Sequence, residues 1–179
     1  MRGPARRDRD SDDFCWTVSA RRNGFMRSSS VEIRPYRLSD ARELAATVNT
    51  VCAEGRWMRT TRFEPTPAWR YALGHPNAPS HLLLVACVGE HVVGWCRAFP
   101  GDGDGTAGMG IGVLEPYRNR GVGTRMLQTM VGWARQRGLQ RMVLTTRTDN
   151  GRAIHLFRKF GFREAGEADG KWIWMTLPL

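Results

Sequence analysis

Residues 109–124 read MGIGVLEPYRNRGVGT, and this stretch decides the fold. Its apolar first half is typical of a strand, and the glycines after Arg120 indicate the start of a helix. The first amides of a helix lack internal acceptors and lie at the positive end of its dipole. Because Gly121 and Gly123 leave the backbone accessible, the stretch predicts an anion site suited to a pyrophosphate. Taken alone, these residues fit an ordinary strand–helix turn with surface arginines equally well.

The rest of the chain alternates between strand and helix patterns around this stretch. Ser39 and Asp40 are expected to cap the first helix, and Thr66 followed by Pro67 predicts the start of the second. The last strand is expected to be covered on both faces, since its apolar residues do not alternate with polar ones. Strands are predicted at 31–34, 82–88, 92–99, 109–114, 142–146, 162–165 and 171–177, and helices at 40–53, 67–74, 122–137 and 150–160.

The 179 residues carry a formal net charge of +10, and 25 of the 27 basic residues are arginine. This length suits one domain, and the longest apolar run, 82–88, is far too short to span a membrane. The charge is uneven, because residues 117–163 hold eleven basic side chains and one acid, Asp149. A field of this kind favours a polyanionic ligand.

Two further features concern the environment of the protein and its first residues. Cys15, Cys52, Cys87 and Cys96 have no metal-ligand spacing, so we expect four free thiols, no metal site and a cytoplasmic location. Residues 1–30 mix opposite charges without periodicity and are expected to form a disordered tail. Residues 31–179 are then the folded domain, and Met26 is an alternative translation start.

Two motifs connect the chain to a known family. Arg118-x-x-Gly121-x-Gly123 resembles the acyl-CoA motif of the GCN5-related N-acetyltransferases (GNAT), with the expected strand before it and helix after it. The stretch from Asn150 to Phe162 resembles the second signature of that family. The resemblance covers 31–177 and implies an α/β fold. Its mixed, mostly antiparallel sheet would contain a splayed parallel central strand pair and be flanked by helices.

The resemblance also implies a co-substrate, acetyl-CoA, whose pantetheine arm would lie in the gap between the two parallel strands. A bulge at Gly110–Gly112 would direct a backbone amide at the thioester carbonyl. The pyrophosphate would lie on the amides of 119–124, and Asn150 would contact the arm. The implied binding residues are Ile111, Val113, Leu114, Arg118, Asn119, Arg120, Gly121, Val122, Gly123, Thr124 and Asn150.

The sequence departs from the family at both usual catalytic positions. Phe157 stands where a tyrosine often donates a proton to the leaving thiolate, and Gly108 stands where a glutamate often acts as base. Glu54 and Glu64 are the remaining candidates for the base, since they flank the segment expected to line the acceptor side. Exposed loop carboxylates are the simpler interpretation of both, and His155 is expected to face solvent.

These features favour an acetyl-CoA-dependent N-acetyltransferase that acts directly on a primary amine. The amine could belong to a small molecule, a peptide N-terminus or a lysine. The alternative is an acyl-CoA-binding or regulatory module with little turnover. Arg56, Arg59 and Arg62 either present charge to an acidic acceptor or form ordinary surface around Trp57 and Phe63. Nucleic acid and membranes are disfavoured as partners, and the sequence leaves open whether the chain forms a homodimer.

Overall fold

The computed structural model describes residues 30–101 and 103–179. Residues 1–29 of the predicted tail lie outside the described residues, and the domain boundary at 31 stays a prediction. The strands are β1 (Glu32–Pro35), β2 (Leu82–Val88), β3 (His91–Pro100), β4 (Thr106–Val113), β5 (Arg141–Arg147), β6 (Arg163–Asp169) and β7 (Trp172–Pro178). The helices are α1 (Ala41–Ala53), α2 (Pro67–Gly74), α3 (Val122–Gln136) and α4 (Gly151–Lys159), with 3₁₀ turns at Leu38–Asp40 and Glu115–Tyr117.

The strands form one seven-stranded sheet in the order β1-β2-β3-β4-β5-β7-β6. Every neighbouring pair is antiparallel except β4 and β5, which confirms the predicted fold class. The parallel pair is short, because only Thr106, Ala107 and Gly108 pair with β5. Both strands continue well beyond that point, so the sheet opens in the middle.

Helices cover the two faces of the sheet unequally. Met126 and Met130 of α3 are fully buried in a core shared with α4, β5 and β7. On the opposite face, α1 and α2 bury Tyr36 and Trp95 over β1 to β4. The prediction that β7 is covered on both faces is wrong, because Trp174 is 44% exposed. The face of β7 that carries Trp174 is therefore partly open to solvent, beside the opening between β4 and β5.

The glycines of β4 make room for side chains of β3 instead of forming the predicted bulge. The β3–β4 register runs without a shift from Gly94↔Val113 to Pro100↔Ala107. A Cβ on Gly112 would overlap the ring of Trp95, and one on Gly110 would lie 3.3 Å from Nε of Arg97. The bulge prediction is wrong because alternate glycines here accommodate two large neighbours on the same face of the sheet.

Two predicted helix starts have different outcomes. Thr66 accepts a hydrogen bond from the amide of Trp69, so the predicted cap of α2 is confirmed. Asp40 precedes α1 but does not cap it with its side chain. Instead, its carboxylate accepts two hydrogen bonds from the guanidinium of Arg34 and one from the amide of Arg37. This buried ion pair fixes the connection from β1 to α1.

The cysteines in the described part of the chain are buried free thiols at 52, 87 and 96, and Cys15 lies outside it. Cys87 pairs with Val92 and Cys96 with Leu84, so the two strand cysteines are out of register, as predicted. Burial raises the pKa of the Cys96 thiol. Within 30–101 and 103–179, none of the helices has the length and apolar character that crossing a membrane requires.

Candidate functional site

A cavity of about 920 Å³ lies where β4 and β5 diverge. Its lining comes from both faces of the sheet. Trp69, Trp95 and Arg97 belong to the α1/α2 face, whereas Gly123 and Leu156 belong to the α3/α4 face. The cavity therefore passes through the plane of the sheet, so two ligands could enter from opposite faces and meet at the opening.

Among the described residues, the edge of β4 that borders this opening carries backbone groups without a strand partner. The amide of Leu114 donates to the carbonyl of Val93, so this residue directs its backbone towards β3. Since backbone direction alternates along a strand, Met109, Ile111 and Val113 direct theirs towards the opening. The carbonyl of Val113 accepts a hydrogen bond from Nε of Arg118 at 2.8 Å, which agrees with this direction. An extended ligand could pair with this edge as an added strand would.

The start of α3 forms a second group of donors at the cavity. Gly121 precedes the helix with φ of 76°, and the first helical bond runs from the amide of Arg125 to its carbonyl. The amides of Val122, Gly123 and Thr124 come before that bond, so they lack helical acceptors. Asn119 also has a positive φ, 61°, which turns the preceding loop. These amides at a helix start fit the charge and the oxygen acceptors of a diphosphate.

Arg118 makes two contacts within the protein, in addition to the CoA-binding role that the family resemblance implies. Besides its bond to Val113, its Nη2 donates to Oε1 of Glu54 at 2.5 Å. The two side chains are 17% and 26% exposed. The guanidinium therefore fixes the end of β4 to the end of α1, while its charge still lies at the cavity.

The implied binding residues divide into two groups by position. Leu114 does not line the cavity, because its side chain packs into the core and its amide is used by β3. Arg120 is exposed with its guanidinium 5.9 Å from the ring of Tyr117, and the buried side chain of Val122 leaves only its backbone for binding. The remaining residues line the cavity: Ile111, Val113, Arg118, Asn119, Gly121, Gly123, Thr124 and Asn150.

The start of α4 completes the α3/α4 side of the cavity. The side chain of Asn150 accepts a hydrogen bond from the amide of Ala153, so it caps the helix at 3.3 Å while it lines the cavity. Phe157 also lines the cavity, but it is 4% exposed and packs against Phe162. Its ring therefore adds apolar surface at the position where the family resemblance implies a phenol.

Among the described residues, Glu64 and Asp149 are the carboxylates that line the cavity. The fork of Arg147 hydrogen-bonds Asp149 and lowers the pKa of that carboxyl to about 2. Glu64 is exposed and forms no ion pair within 30–101 and 103–179. Glu54 lies outside the lining and is committed to Arg118, so of the two predicted bases only Glu64 faces the cavity. His155 is exposed, as predicted, at the rim.

The segment between α1 and α2 closes the cavity against the β6–β7 turn. Nη1 of Arg59 lies 2.5 Å from a carboxylate oxygen of Asp169, and its guanidinium lies 4.8 Å from the ring of Trp172. Arg56 stacks over Trp57, with its Cζ 4.4 Å from the ring centroid. Arg62 is exposed and does not line the cavity. The three arginines thus have separate local surroundings.

Sequence reasoning missed Arg97. Its guanidinium lies beside Gly110 on the α1/α2 face, and Nη1 donates to the carbonyl of Gly108 at 3.3 Å. It also lies 4.7 Å from the ring centroid of Phe99, and burial lowers its pKa. The available signal was a single charged residue inside the apolar stretch VVGWCRAF of β3.

Known proteins resemble this chain in sequence and in fold. The model of the acetyltransferase (GNAT) family matches residues 45–162. An L-methionine sulfoximine/L-methionine sulfone acetyltransferase of Pseudomonas paraeruginosa is 31% identical over 120 residues, which cover 61% of this chain and 68% of that protein. The uncharacterized N-acetyltransferase YobR of Bacillus subtilis is 35% identical over 65 residues, 36% of this chain, and the match spans only 26% of that protein.

Solved structures show the same architecture at lower sequence identity. A GNAT-family acetyltransferase from Streptococcus pneumoniae superposes with a TM-score of 0.73 at 22% identity, over 84% of this chain and 100% of that one. The protein yncA of Salmonella typhimurium, solved with its cofactor acetyl-CoA, gives a TM-score of 0.71 at 18% identity, over 83% of this chain and 94% of that one. Because the family model matches more than half of its residues, the chain belongs to the acetyltransferase (GNAT) family.

Proposed function

We propose that this protein transfers the acetyl group of acetyl-CoA directly to a primary amine. The observation that carries the proposal is the opening between β4 and β5, which joins an unpaired strand edge and a helix start to a second entrance on the opposite face. Two solved relatives, the Salmonella typhimurium protein and a Sinorhizobium meliloti phosphinothricin acetyltransferase, contain acetyl-CoA, which supports the same ligand here.

In this proposal the α3/α4 side holds the co-substrate. The amides of 119–124 bind its pyrophosphate, with Val122 contributing only backbone, and Asn150 contacts the arm. Ile111 and Val113 present the edge of β4 to the pantetheine, and the charge of Arg118 adds to the local field. Leu114 and Arg120 are left out, because neither lines the cavity.

The amine enters from the α1/α2 side and attacks the thioester carbonyl. A C–N bond forms, the C–S bond breaks, and the CoA thiolate leaves and takes a proton from water. The excess proton on the nitrogen passes to solvent through Glu64, the lining carboxylate without an ion pair in the described structure. Phe157 offers no hydroxyl to the leaving group at the position where the family resemblance implies a tyrosine.

Reduced thiols at 52, 87 and 96 fit a reducing compartment, so we place the reaction in the cytoplasm. The acceptor is a free amine in solution, and the proposal includes no nucleic acid or membrane partner. The mass of the protein in solution would show whether it forms a homodimer.

Release of CoA thiol from acetyl-CoA tests the proposal against a panel of amines, amino acids, peptides and lysine derivatives. We expect at least one acceptor to raise thiol release well above the rate of hydrolysis, with an acetylated product seen by mass spectrometry. Tight binding of acetyl-CoA without transfer across the panel would instead establish the alternative, a binding or regulatory module. A Glu64→Gln variant should lose rate, because the excess proton on the attacking nitrogen then has no carboxylate at the cavity to accept it.

A further inference from the structure

One half-buried arginine at the site, Arg97, has no counter-ion in the described structure. Arg34, Arg118 and Arg147 have side chains 14%, 17% and 21% exposed, and each pairs with a carboxylate. Arg97 is half-buried as well, yet no carboxylate of the described residues lies within the 4.0 Å of an ion pair. Its nearest acceptor is the carbonyl of Gly108 at 3.3 Å.

A buried guanidinium without an anion is costly, because desolvation opposes its charge. The rings of Phe99 and Trp69, 4.7 and 5.7 Å from its Cζ, offset part of that cost and also hold the side chain in place. A single carbonyl uses one of the five N–H donors of the fork. The remaining donors suit a group that accepts two hydrogen bonds at once, such as a carboxylate.

The position of Arg97 determines which ligand could supply that carboxylate. It pairs across the sheet with Gly110, one residue along β4 from both Met109 and Ile111, whose backbones face the opening. Its side chain lies on the α1/α2 face, opposite the starts of α3 and α4. One residue of a strand spans about 3.3 Å, so an anion on Arg97 lies within a few bonds of the opening.

We propose that Arg97 binds the carboxylate of the acceptor, which makes small amino acids the substrate class of this enzyme. The amine and the carboxylate belong to the same small molecule, because the fork and the opening are too close together for a long spacer. Glu64 at the same cavity then faces the amine, and the two charges orient the substrate by its opposite ends. This inference rests on the proposed acetyl transfer and adds its specificity.

The experiment compares each of the twenty common L-amino acids with its amide, using wild type, Arg97→Gln and Arg62→Gln. Arg62 is the matched control, since it is an exposed arginine outside the cavity lining. We expect at least one amino acid to exceed its amide in kcat/KM by tenfold or more. Arg97→Gln should lower kcat/KM for that acid by about tenfold to a hundredfold, mainly through KM. For the Arg97→Gln variant, kcat/KM for the corresponding amide and KM for acetyl-CoA should equal the wild-type values.

Three outcomes would overturn the inference. The amides could be accepted as well as the acids, Arg97→Gln could lower both rates equally, or Arg62→Gln could have the same effect as Arg97→Gln. If Arg97→Gln fails to fold, Arg97→Lys replaces it, since lysine keeps the charge but lacks the forked donors. The ratio of kcat/KM for the acid to kcat/KM for the amide in wild type also tests the inference without any variant. Acetylation of other amines with no amino acid accepted would contradict the inference but leave the proposed function intact.

If no acceptor is acetylated, the proposed function fails, and binding decides the inference separately. The melting temperature is then measured with each amino acid in the presence of CoA. A rise in wild type that Arg97→Gln abolishes would support the carboxylate site. No rise in wild type, or an equal rise in both proteins, would overturn it.

Discussion

Arg118 and Glu54 form an ion pair that connects the middle of the chain to the end of α1, with Nη2 2.5 Å from Oε1. The same guanidinium binds the carbonyl of Val113, the last residue of β4. An arginine of the motif that the family uses for CoA is therefore also a structural brace.

Glu54→Ala should lower the free energy of unfolding by about 1 kcal/mol, because it removes a partly buried, charge-assisted hydrogen bond. Glu43→Ala is the matched control, since its carboxylate lies on the same helix and pairs at 3.3 Å only with His91, which is 80% exposed. Urea unfolding measures both variants. Equal losses of unfolding free energy in the two variants would contradict a stabilising role for the Arg118–Glu54 pair.

The helix start at Gly121 predicts a charge-specific effect on binding. Any L side chain there is strained, since φ is 76°, and about 1–2 kcal/mol of stability should be lost. A Cβ would meet nothing within 4 Å, so Gly121→Gln and Gly121→Glu should fold alike. The glutamate should raise the Kd for acetyl-CoA at least tenfold above that of the glutamine variant, as titration calorimetry can measure. Equal Kd values would place the diphosphate elsewhere.

The contact of Gly112 with Trp95 predicts a large loss of stability from one methyl group. Gly112→Ala should cost about 1–3 kcal/mol, because the new methyl group would overlap the buried ring of Trp95 and force that ring or β4 to shift. Gly108→Ala on the same strand is the control, as its Cβ would come no closer than 3.9 Å to the carbonyl of Phe99. Thermal unfolding compares them. Trp95→Phe should lessen the cost of Gly112→Ala, and strict additivity of the two changes would contradict the overlap.

The position of Phe157 at the cavity predicts that a tyrosine there would increase activity. Phe157→Tyr places a hydroxyl at the cavity, where it can protonate the leaving thiolate, so we expect kcat to rise by about tenfold or more. Phe162→Tyr adds a hydroxyl to the neighbouring ring, which does not line the cavity, and should cost stability without a gain in rate. Steady-state kinetics with the best acceptor decides, and an unchanged kcat for Phe157→Tyr would remove the missing-acid explanation.

The pair Arg34–Asp40 predicts a dependence of stability on pH. The hydrogen bonds from Arg34 lower the pKa of Asp40 in the folded state. Its contribution is therefore complete above the unfolded pKa of about 3.9 and is lost as the pH falls through the folded pKa. Asp40→Asn should cost about 2–4 kcal/mol at pH 7 and progressively less below pH 4. Asp169→Asn, from an exposed pair, is the control in urea unfolding at each pH. A loss that does not change with pH would contradict the assignment.

Local patterns in the sequence were sufficient to predict the elements and their order. Thr66–Pro67 marks a helix start through bonds within four residues, and the glycines at 121 and 123 mark a turn that needs an accessible backbone. The family motifs then supplied the parallel pair β4–β5, which no local rule indicates. The fold was predictable because its signals are local or belong to a motif.

The errors concern contacts between different structural elements. Gly110 and Gly112 indicate either a bulge or a close backbone approach when β4 is considered alone, and only the side chains of β3 show which groups come close. Asp40 has the sequence of a cap, yet a strand arginine six residues earlier takes its carboxylate. Arg97 was missed because its lack of a counter-ion among the described residues depends on all the elements that surround it.

The divergence of β4 from β5 has a consequence for how the protein persists in a cell. Beyond Gly108 the molecule keeps a bare strand edge in its interior, where other sheets complete their hydrogen bonding. In the proposed binding mode, a ligand along that edge would supply the missing pairing, and ligand binding and folding would then be thermodynamically linked. A ligand at a hundred times its Kd adds about 2.7 kcal/mol to the folded state. The concentration of co-substrate would then affect how long the protein stays folded as well as its catalytic rate.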